Sequence, residues 1–206
     1  MWWPARFLIS PIAKPPCGGI WLHEIKHDGL RVIARKDGPR VKLYSRPGND
    51  LTDRFPLIVE ALARLRASSC TIDGEAVACG DDGISSFNLL RHRWRDEAVF
   101  LYVFDLIELT GDDRRRDPLE QRKLDLSRLL AKAGPGLRLN EWIDGDEHDG
   151  ATIFFHACHL GLEGIVSKRK DSPYRSGRSP DWLKMKNPDM RAVKREVEED
   201  WGSAVR

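Results

Sequence analysis

Cysteine is scarce in this sequence, and the few cysteines are widely separated. The 206 residues include four, Cys17, Cys70, Cys79 and Cys158, and their spacing indicates neither a zinc ribbon nor a disulfide framework. No apolar run reaches transmembrane length. Pro4 interrupts the apolar stretch at the start of the sequence, whereas the apolar core of a secretory signal is unbroken. These absences predict a cytoplasmic protein that has no membrane partner.

An excess of either charge is also missing. Lys and Arg number 34 against 32 Asp and Glu, a net charge of +2, so overall charge does not indicate a polyanionic partner and local charge must decide. Hydrophobic residues make up 41% and charged residues 32%, a composition typical of a folded globular chain. The length fits one large domain or a domain with an appendage.

Apolar periodicity predicts an α+β fold, in which mostly antiparallel sheets carry helices on the outside. The Asp37-Gly38 pair is a hairpin signal, and we expect the Ser85 hydroxyl to cap a short helix. We expect an irregular lead-in over residues 1–20, one domain over 21–190 and a charged tail over 191–206. Strands are predicted at 21–26, 32–36, 41–44, 71–79, 98–109, 137–143, 164–169 and 182–186, and helices at 53–66, 85–92, 118–132, 147–160 and 193–200.

The segment around Lys26 carries the most chemistry. A strand ends there at a glycine turn, and strand alternation would place Glu24, Lys26 and Asp28 on one face. Taken alone, a lysine between two acids is most often a solvated ion pair.

Further blocks follow in a fixed order and resemble the adenylation domain of ATP-dependent DNA ligases. The family's first motif, K-x-D-G-x-R, is matched by Lys26, Asp28, Gly29 and Arg31, with Glu24 preceding it. The match runs over residues 11–187 and suggests a minimal bacterial-type ligase. The remaining blocks are S-R-P-G at 45–48, D-G-E at 73–75, S-F at 86–87, V-F-D at 103–105, E-G-I-V at 163–166 and W-L-K-M-K at 182–186.

The resemblance implies a fold of two mostly antiparallel sheets, the ATP-grasp-like fold of ligases and capping enzymes, and covalent catalysis by an amine. Lys26 would attack the α-phosphorus of ATP and carry AMP for nick sealing in DNA repair. Glu163 and Glu75 would ligate Mg²⁺ or Mn²⁺. The other nucleotide contacts implied are Glu24 and Phe104 at the adenine, Arg31 and Arg46 on the ribose and phosphate side, Glu75 at the ribose, Lys184 and Lys186 at the α-phosphate, and Arg178.

Two basic clusters suit contacts with the phosphate backbone of nicked double-stranded DNA, the implied partner. In the cell such a protein would be associated with the nucleoid while on DNA. The residues concerned are Arg91, Arg93, Lys168, Arg169 and Lys170.

The resemblance ends near Lys186, where the family continues into an oligonucleotide-binding (OB-fold) domain. Twenty residues follow, so we expect no such domain, a monomer, and help from a separate OB-fold or repair protein. Two alternatives stay open: a catalytically idle remnant that binds nucleotide or DNA, and an RNA ligase or capping-type enzyme. Phe104 could equally be a core residue, and Glu75 and Glu163 ordinary acids at strand ends.

Overall fold

A computed structural model describes residues 9–11, 14–93, 96–175 and 179–189, with the backbone alone at 9–11. The described residues form eleven strands, four α-helices and a short 3-10 helix at Asp96–Ala98. The strands are β1 (Ile9–Pro11), β2 (Trp21–Ile25), β3 (Leu30–Asp37), β4 (Arg40–Ser45), β5 (Ser69–Val77), β6 (Phe100–Leu109), β7 (Asp112–Asp113), β8 (Leu137–Leu139), β9 (Trp142–Asp144), β10 (Gly164–Arg169) and β11 (Ser179–Lys186). The helices are α1 (Pro56–Ala63), α2 (Phe87–Arg91), α3 (Leu119–Leu130) and α4 (Gly150–His159).

The strands form two sheets, and most neighbours within each sheet run antiparallel. The first sheet has the order β1-β11-β10-β2-β9, and the second has the order β4-β3-β5-β6-β7 with β8 alongside β6. Only the β1–β11 and β6–β8 pairs among the described strands are parallel. The predicted α+β class with two mostly antiparallel sheets is therefore confirmed.

Local sequence explains the hairpin that begins the second sheet. β3 and β4 pair up to Asp37 and Arg40, and Gly38 has a φ of +56°, a conformation that glycine adopts without steric cost. Helix α1 begins with Pro56 in its first turn, where the missing N–H of proline removes no hydrogen bond. Its Ile58 and Leu62 are fully buried against the second sheet. The main hydrophobic core lies on this side of the molecule.

Residues 137–143, predicted as one strand, are divided between the two sheets. β8 pairs with β6 of the second sheet, whereas β9 pairs with β2 of the first. Asn140 lies at the crossing: its N–H donates to the carbonyl of Val103 at 2.8 Å, and its side-chain amide donates to Glu24 at 3.0 Å. The single-strand prediction was wrong because these contacts with both sheets redirect the chain.

Two further expectations were wrong. The Ser85 hydroxyl accepts the N–H of Asp28 and does not cap the next helix; α2 begins at Phe87, whose N–H donates to the Asp28 carboxylate at 3.0 Å. The lead-in is not irregular throughout, because Ile9–Pro11 forms a strand on β11. The helix predicted at 193–200 lies outside the described residues. No helix in the described part is both long and apolar enough to span a bilayer.

Candidate active site

Lys26 lies where three strands of the first sheet come together. It directly follows β2, and its N–H donates to the carbonyl of Gly164, the first residue of β10, at 3.0 Å. Its Nζ forms an ion pair with Oε1 of Glu163, and the two side chains are only 13% and 4% exposed. On the neighbouring β11, Lys184 and Lys186 lie opposite Val166 and Gly164. Three lysines and one carboxylate are thus carried by one sheet.

The second sheet contributes Glu75 to the same region. Glu75 lies opposite Arg31 on β3 and Tyr102 on β6. Burial raises the pKa of Glu75 to about 7, since the charged form loses its hydration; Lys26 and Arg31 oppose the rise, whereas the Glu163 carboxylate adds to it. These interactions show that the site is built where the two sheets face each other.

The pKa of Lys184 is also shifted by its surroundings. Burial lowers the pKa of Lys184 to about 8, and the positive charges of Lys26 and Lys186 lower it further, against the two carboxylates. A polyphosphate entering this cluster would meet several cationic groups in a poorly hydrated place, where ionic contacts are stronger than in water. The lysines expected at the α-phosphate therefore do lie beside Lys26.

The two carboxylates fit a divalent cation that is shared with phosphate. Oε2 of Glu163 is buried and has no hydrogen-bond partner among the described residues, and Mg²⁺ prefers such carboxylate oxygens. No group of three or more His, Cys, Asp or Glu that could hold a metal occurs in the described ranges. A cation here would consequently take its remaining ligands from a substrate or from water.

Arg31 is held by a residue whose role the sequence did not reveal. Its Nε donates to Oδ1 of Asp73 at 3.0 Å, and its Nη2 pairs with Oδ2. The hydroxyl of Tyr174 donates to the same carboxylate at 2.8 Å. Asp73 is completely buried, so it holds the guanidinium in a fixed position on the second sheet. Its place in the D-G-E block was a signal, but nothing near Tyr174 distinguished that residue.

Phe104 projects from an irregularity in β6. Asp73 pairs with Asp105 and Gly74 with Val103, so Phe104 is an extra residue opposite them, a β-bulge of the kind found beside active sites. The ring is half-buried, and Nζ of Lys168 lies 4.5 Å from its centroid. The ring also packs against the buried cluster of Leu22, Leu119, Tyr174 and Trp182, which supports the core interpretation. The stacking role of Phe104 stays a prediction.

Glu24, Lys26 and Asp28 do not share a face, and that prediction was wrong. β2 ends at Ile25, so strand alternation does not continue through Lys26. Glu24 is buried in ion pairs with Lys123 at 2.7 Å and Lys168 at 2.8 Å. Asp28 instead accepts the Phe87 N–H at the start of α2.

The remaining predicted residues are dispersed. Arg46 is half-buried directly after β4, and Arg178 lies outside the described residues. Arg91 and Arg93 are exposed. The prediction that Lys168 contacts DNA was wrong, because only 2% of it is exposed.

Its two neighbours, Arg169 and Lys170, are half-buried, and both form ion pairs. Arg169 bonds to Asp171 through two nitrogens, at 2.7 and 3.0 Å. Lys170 forms an ion pair with Asp144 at 2.7 Å. Arg169 and Lys170 stay predictions for DNA contact.

Comparison with known proteins agrees with this geometry. Residues 12–186 match the ATP dependent DNA ligase domain family. The multifunctional non-homologous end joining protein LigD of Pseudomonas aeruginosa is 37% identical over 188 residues, which cover 89% of this chain and 22% of that protein. A DNA ligase of Natronomonas pharaonis is 35% identical over 196 residues, covering 89% of this chain and 35% of the archaeal ligase.

A solved structure supports the same assignment. The mycobacterial DNA ligase D complexed with ATP and MES superimposes with a TM-score of 0.73 and 30% identity, covering 88% of this chain and 60% of that one. The fold is that of the nucleotidyltransferase domain of ATP-dependent DNA ligases. The chain belongs to the ATP-dependent DNA ligase domain family, as its sequence motifs indicated. It spans about a fifth of the length of the LigD proteins that it matches.

Proposed function

We propose that this chain transfers AMP from ATP to its own Lys26 as the first step of DNA ligation. The Lys26 ammonium first loses a proton to water, and its free amine Nζ attacks the α-phosphorus. The P–N bond forms while the P–O bond to pyrophosphate breaks, and the nitrogen then loses a second proton to the departing pyrophosphate or to water. The observation that supports this most directly is the placement of Lys26 beside Glu163, Lys184 and Lys186 in a poorly hydrated pocket. A similar solved protein is described as complexed with ATP.

The ion pair has to open before the reaction. While Nζ of Lys26 is bound to Oε1 of Glu163, the nitrogen has no lone pair with which to attack phosphorus. Lys184 and Lys186 would bind the α-phosphate and stabilise the negative charge that develops on its oxygens. The triphosphate therefore replaces the Glu163 carboxylate as the anionic partner of the lysine cluster.

Glu163 and Glu75 are the residues that would hold Mg²⁺, or Mn²⁺ in its place. Such a cation supplies charge neutralisation for the triphosphate when bound. Glu75, which the second sheet carries, would serve the metal or the ribose. The unpartnered Oε2 of Glu163 is the oxygen best suited to a cation.

The other contacts would orient the nucleoside. Phe104 stacks on the adenine, Glu24 accepts a hydrogen bond from the 6-amino group, and Arg31 and Arg46 contact the ribose and phosphate side. Arg178 remains a predicted basic contact from the sequence.

Later steps would pass AMP to the 5′-phosphate of nicked DNA and seal the nick in DNA repair. The matched relatives are named for end joining and DNA ligation. Arg91, Arg93 and Arg169, with Lys170, would contact the DNA backbone, and such contacts weaken as salt is added.

Intact mass after incubation with ATP and Mg²⁺ tests the proposal. We expect the wild-type chain to gain one AMP and Lys26→Ala to gain none. Lys132→Ala, which changes an exposed lysine of the same chain, should gain AMP as the wild type does. ATP binding without an adduct in the wild-type chain would instead support the idle remnant. An adduct formed from GTP in preference to ATP would support a capping-type enzyme.

A further inference from the structure

Helix α3 sends two adjacent basic side chains into the interior. Arg122 and Lys123 are both completely buried. Arg122 binds Asp105 of the second sheet through two nitrogens, at 2.7 and 2.9 Å. Lys123 reaches Glu24 of the first sheet at 2.7 Å. One helix turn therefore connects a carboxylate of the first sheet with a carboxylate of the second.

The contacts of Lys123 are unusual for a lysine. Its Nζ also lies 3.3 Å from the carbonyl oxygen of Asn140 and 5.2 Å from the centroid of the Trp142 ring. Lysine is almost never fully buried unless it is paired, and desolvation makes an ion pair at such a depth a poor source of stability. A buried ammonium at this position calls for a role other than stabilisation.

Lys123 is one of three groups that hold Glu24. Nζ of Lys168 lies 2.8 Å from Oε2, and the Asn140 amide donates to the same oxygen at 3.0 Å. The other oxygen, Oε1, is buried and forms an ion pair with Nζ of Lys123 at 2.7 Å. The lysine thus fixes Oε1 by charge, and because a carboxylate oxygen has two lone pairs, a second donor can still bind it.

Lys168 connects Glu24 with the aromatic ring of Phe104. Its Nζ, which binds Oε2 of Glu24 at 2.8 Å, also lies 4.5 Å from the centroid of the Phe104 ring, so one ammonium contacts both side chains. A carboxylate can only accept hydrogen bonds. The 6-amino group of adenine donates, whereas the corresponding O6 of guanine accepts. Glu24 at this place favours a purine that carries a 6-amino group.

We propose that Lys123 is a positioning residue for purine recognition, holding the Glu24 carboxylate beside Phe104 so that it accepts a hydrogen bond from the 6-amino group of ATP. Lys123 itself does not touch the nucleotide. This inference rests on the proposed function and adds to it the residue that sets base selectivity. A site built to bond a polar group discriminates strongly against an analogue lacking it.

The test compares ATP with purine riboside triphosphate, which lacks only the 6-amino group, as substrates for adduct formation. We expect the wild-type chain to prefer ATP by roughly tenfold or more. Lys123→Met keeps the length of the side chain and removes its charge. It should raise KM for ATP by about tenfold while leaving that for the analogue unchanged, so the preference disappears; Lys123→Arg should restore part of it.

Two comparisons separate positioning from stability. Leu126→Ala removes a fully buried side chain of the same helix from the main core and should leave the preference for ATP intact. In Glu24→Gln, adding Lys123→Met should change the preference no further, because interacting residues are non-additive. Should Lys123→Met not fold, Lys123→Gln carries the same comparison.

An unchanged ATP preference in a folded Lys123 variant overturns the inference, as does an equal loss in Leu126→Ala. If the wild-type chain forms no adduct at all, the proposed function fails separately. In that case calorimetry measures the affinities of the wild type and of Lys123→Met for ATP and for the analogue. A ratio of the two affinities that is the same in both chains overturns the role of Lys123.

Discussion

Lys26 and Glu163 form a nearly buried ion pair between the end of β2 and the start of β10. The second oxygen of the Glu163 carboxylate has no hydrogen-bond partner among the described residues. Oε1 of Glu163 therefore neutralises the Lys26 ammonium, and Oε2 can accept a further hydrogen bond or bind a cation. Removing its charge should affect chemistry more than folding.

Glu163→Gln should slow adenylation of Lys26 by roughly 100-fold or more. Removing one group that stabilises the charge of a transition state typically lowers the rate constant by about that factor. The rate of AMP gain, measured by intact mass at saturating ATP, checks this. Glu60→Gln, which changes an exposed carboxylate paired with Arg64, is the control. A Glu163→Gln chain that is adenylated at the wild-type rate would remove Glu163 from the proposed site.

Phe104→Ala should weaken ATP use mainly through KM. Stacking of a base on an aromatic ring is worth about 1–3 kcal/mol, which predicts a KM roughly 5 to 150 times higher with a smaller change in kcat. Phe104→Tyr retains the ring and should stay near wild type. Phe155→Ala removes an exposed ring on α4 and should change neither constant. Equal KM values for Phe104→Ala and wild type would show that Phe104 is a core residue and does not stack on the adenine.

Much of the fold could be predicted because its signals are local. The β3–β4 hairpin follows from alternating residues around Asp37-Gly38, and most other strands from apolar runs that the structure places within a few residues of expectation. The positions of Lys26, Glu163 and Lys184 were likewise found from short motifs. A local pattern does not specify which distant segment a strand will meet, so the crossing at Asn140 was missed.

The errors at the site have a related cause. Lys123 and Lys168 are charged residues that sequence patterns assign to solvent. Their burial depends on ion pairs with Glu24, which is about 100 and 144 residues away along the chain. Asp28 was misplaced because strand alternation was continued past Ile25, where β2 ends, as far as Asp28. Sequence periodicity therefore could not predict ion pairs between residues that are far apart in the chain.

The buried pair of Asp105 and Arg122 should be a strong determinant of folding. Both side chains have no exposed area, and Arg122 also donates to the carbonyl of Ser172 at 2.9 Å. Asp105→Asn leaves the guanidinium without its counter-charge and should lower the free energy of unfolding by about 3–5 kcal/mol. Urea unfolding of the folded chain measures this value.

A double variant gives the matched control for that pair. Asp105→Leu with Arg122→Met removes both charges together and should cost less than Asp105→Asn alone, because no uncompensated charge remains. A double variant less stable than the single one would show that Arg122 acts mainly through its carbonyl contacts.

His27 should make stability depend on pH in the acid range. Its ring stacks on Tyr102 with centroids 3.8 Å apart and planes within 5°, and its Nε2–H donates to Asn140 at 3.1 Å. Burial lowers the pKa of His27 to about 4, and the charge of Lys26 acts in the same direction, against Asn140 and Glu24. The neutral ring is therefore the form that the folded state retains.

Between pH 6.5 and 4 the unfolded chain binds a proton at this histidine and the folded chain does not, so stability rises with pH across that window and is lost as pH falls. From pH 7 to pH 5 the contribution of His27 to the free energy of unfolding should fall by about 2 kcal/mol. Urea unfolding at both pH values measures it, and His27→Gln should show a correspondingly smaller change. His156→Gln, at an exposed position on α4, should show the same change in the free energy of unfolding between pH 7 and pH 5 as the wild type. If His156→Gln reduces that change as much as His27→Gln does, the His27 ring is not the source of the pH dependence.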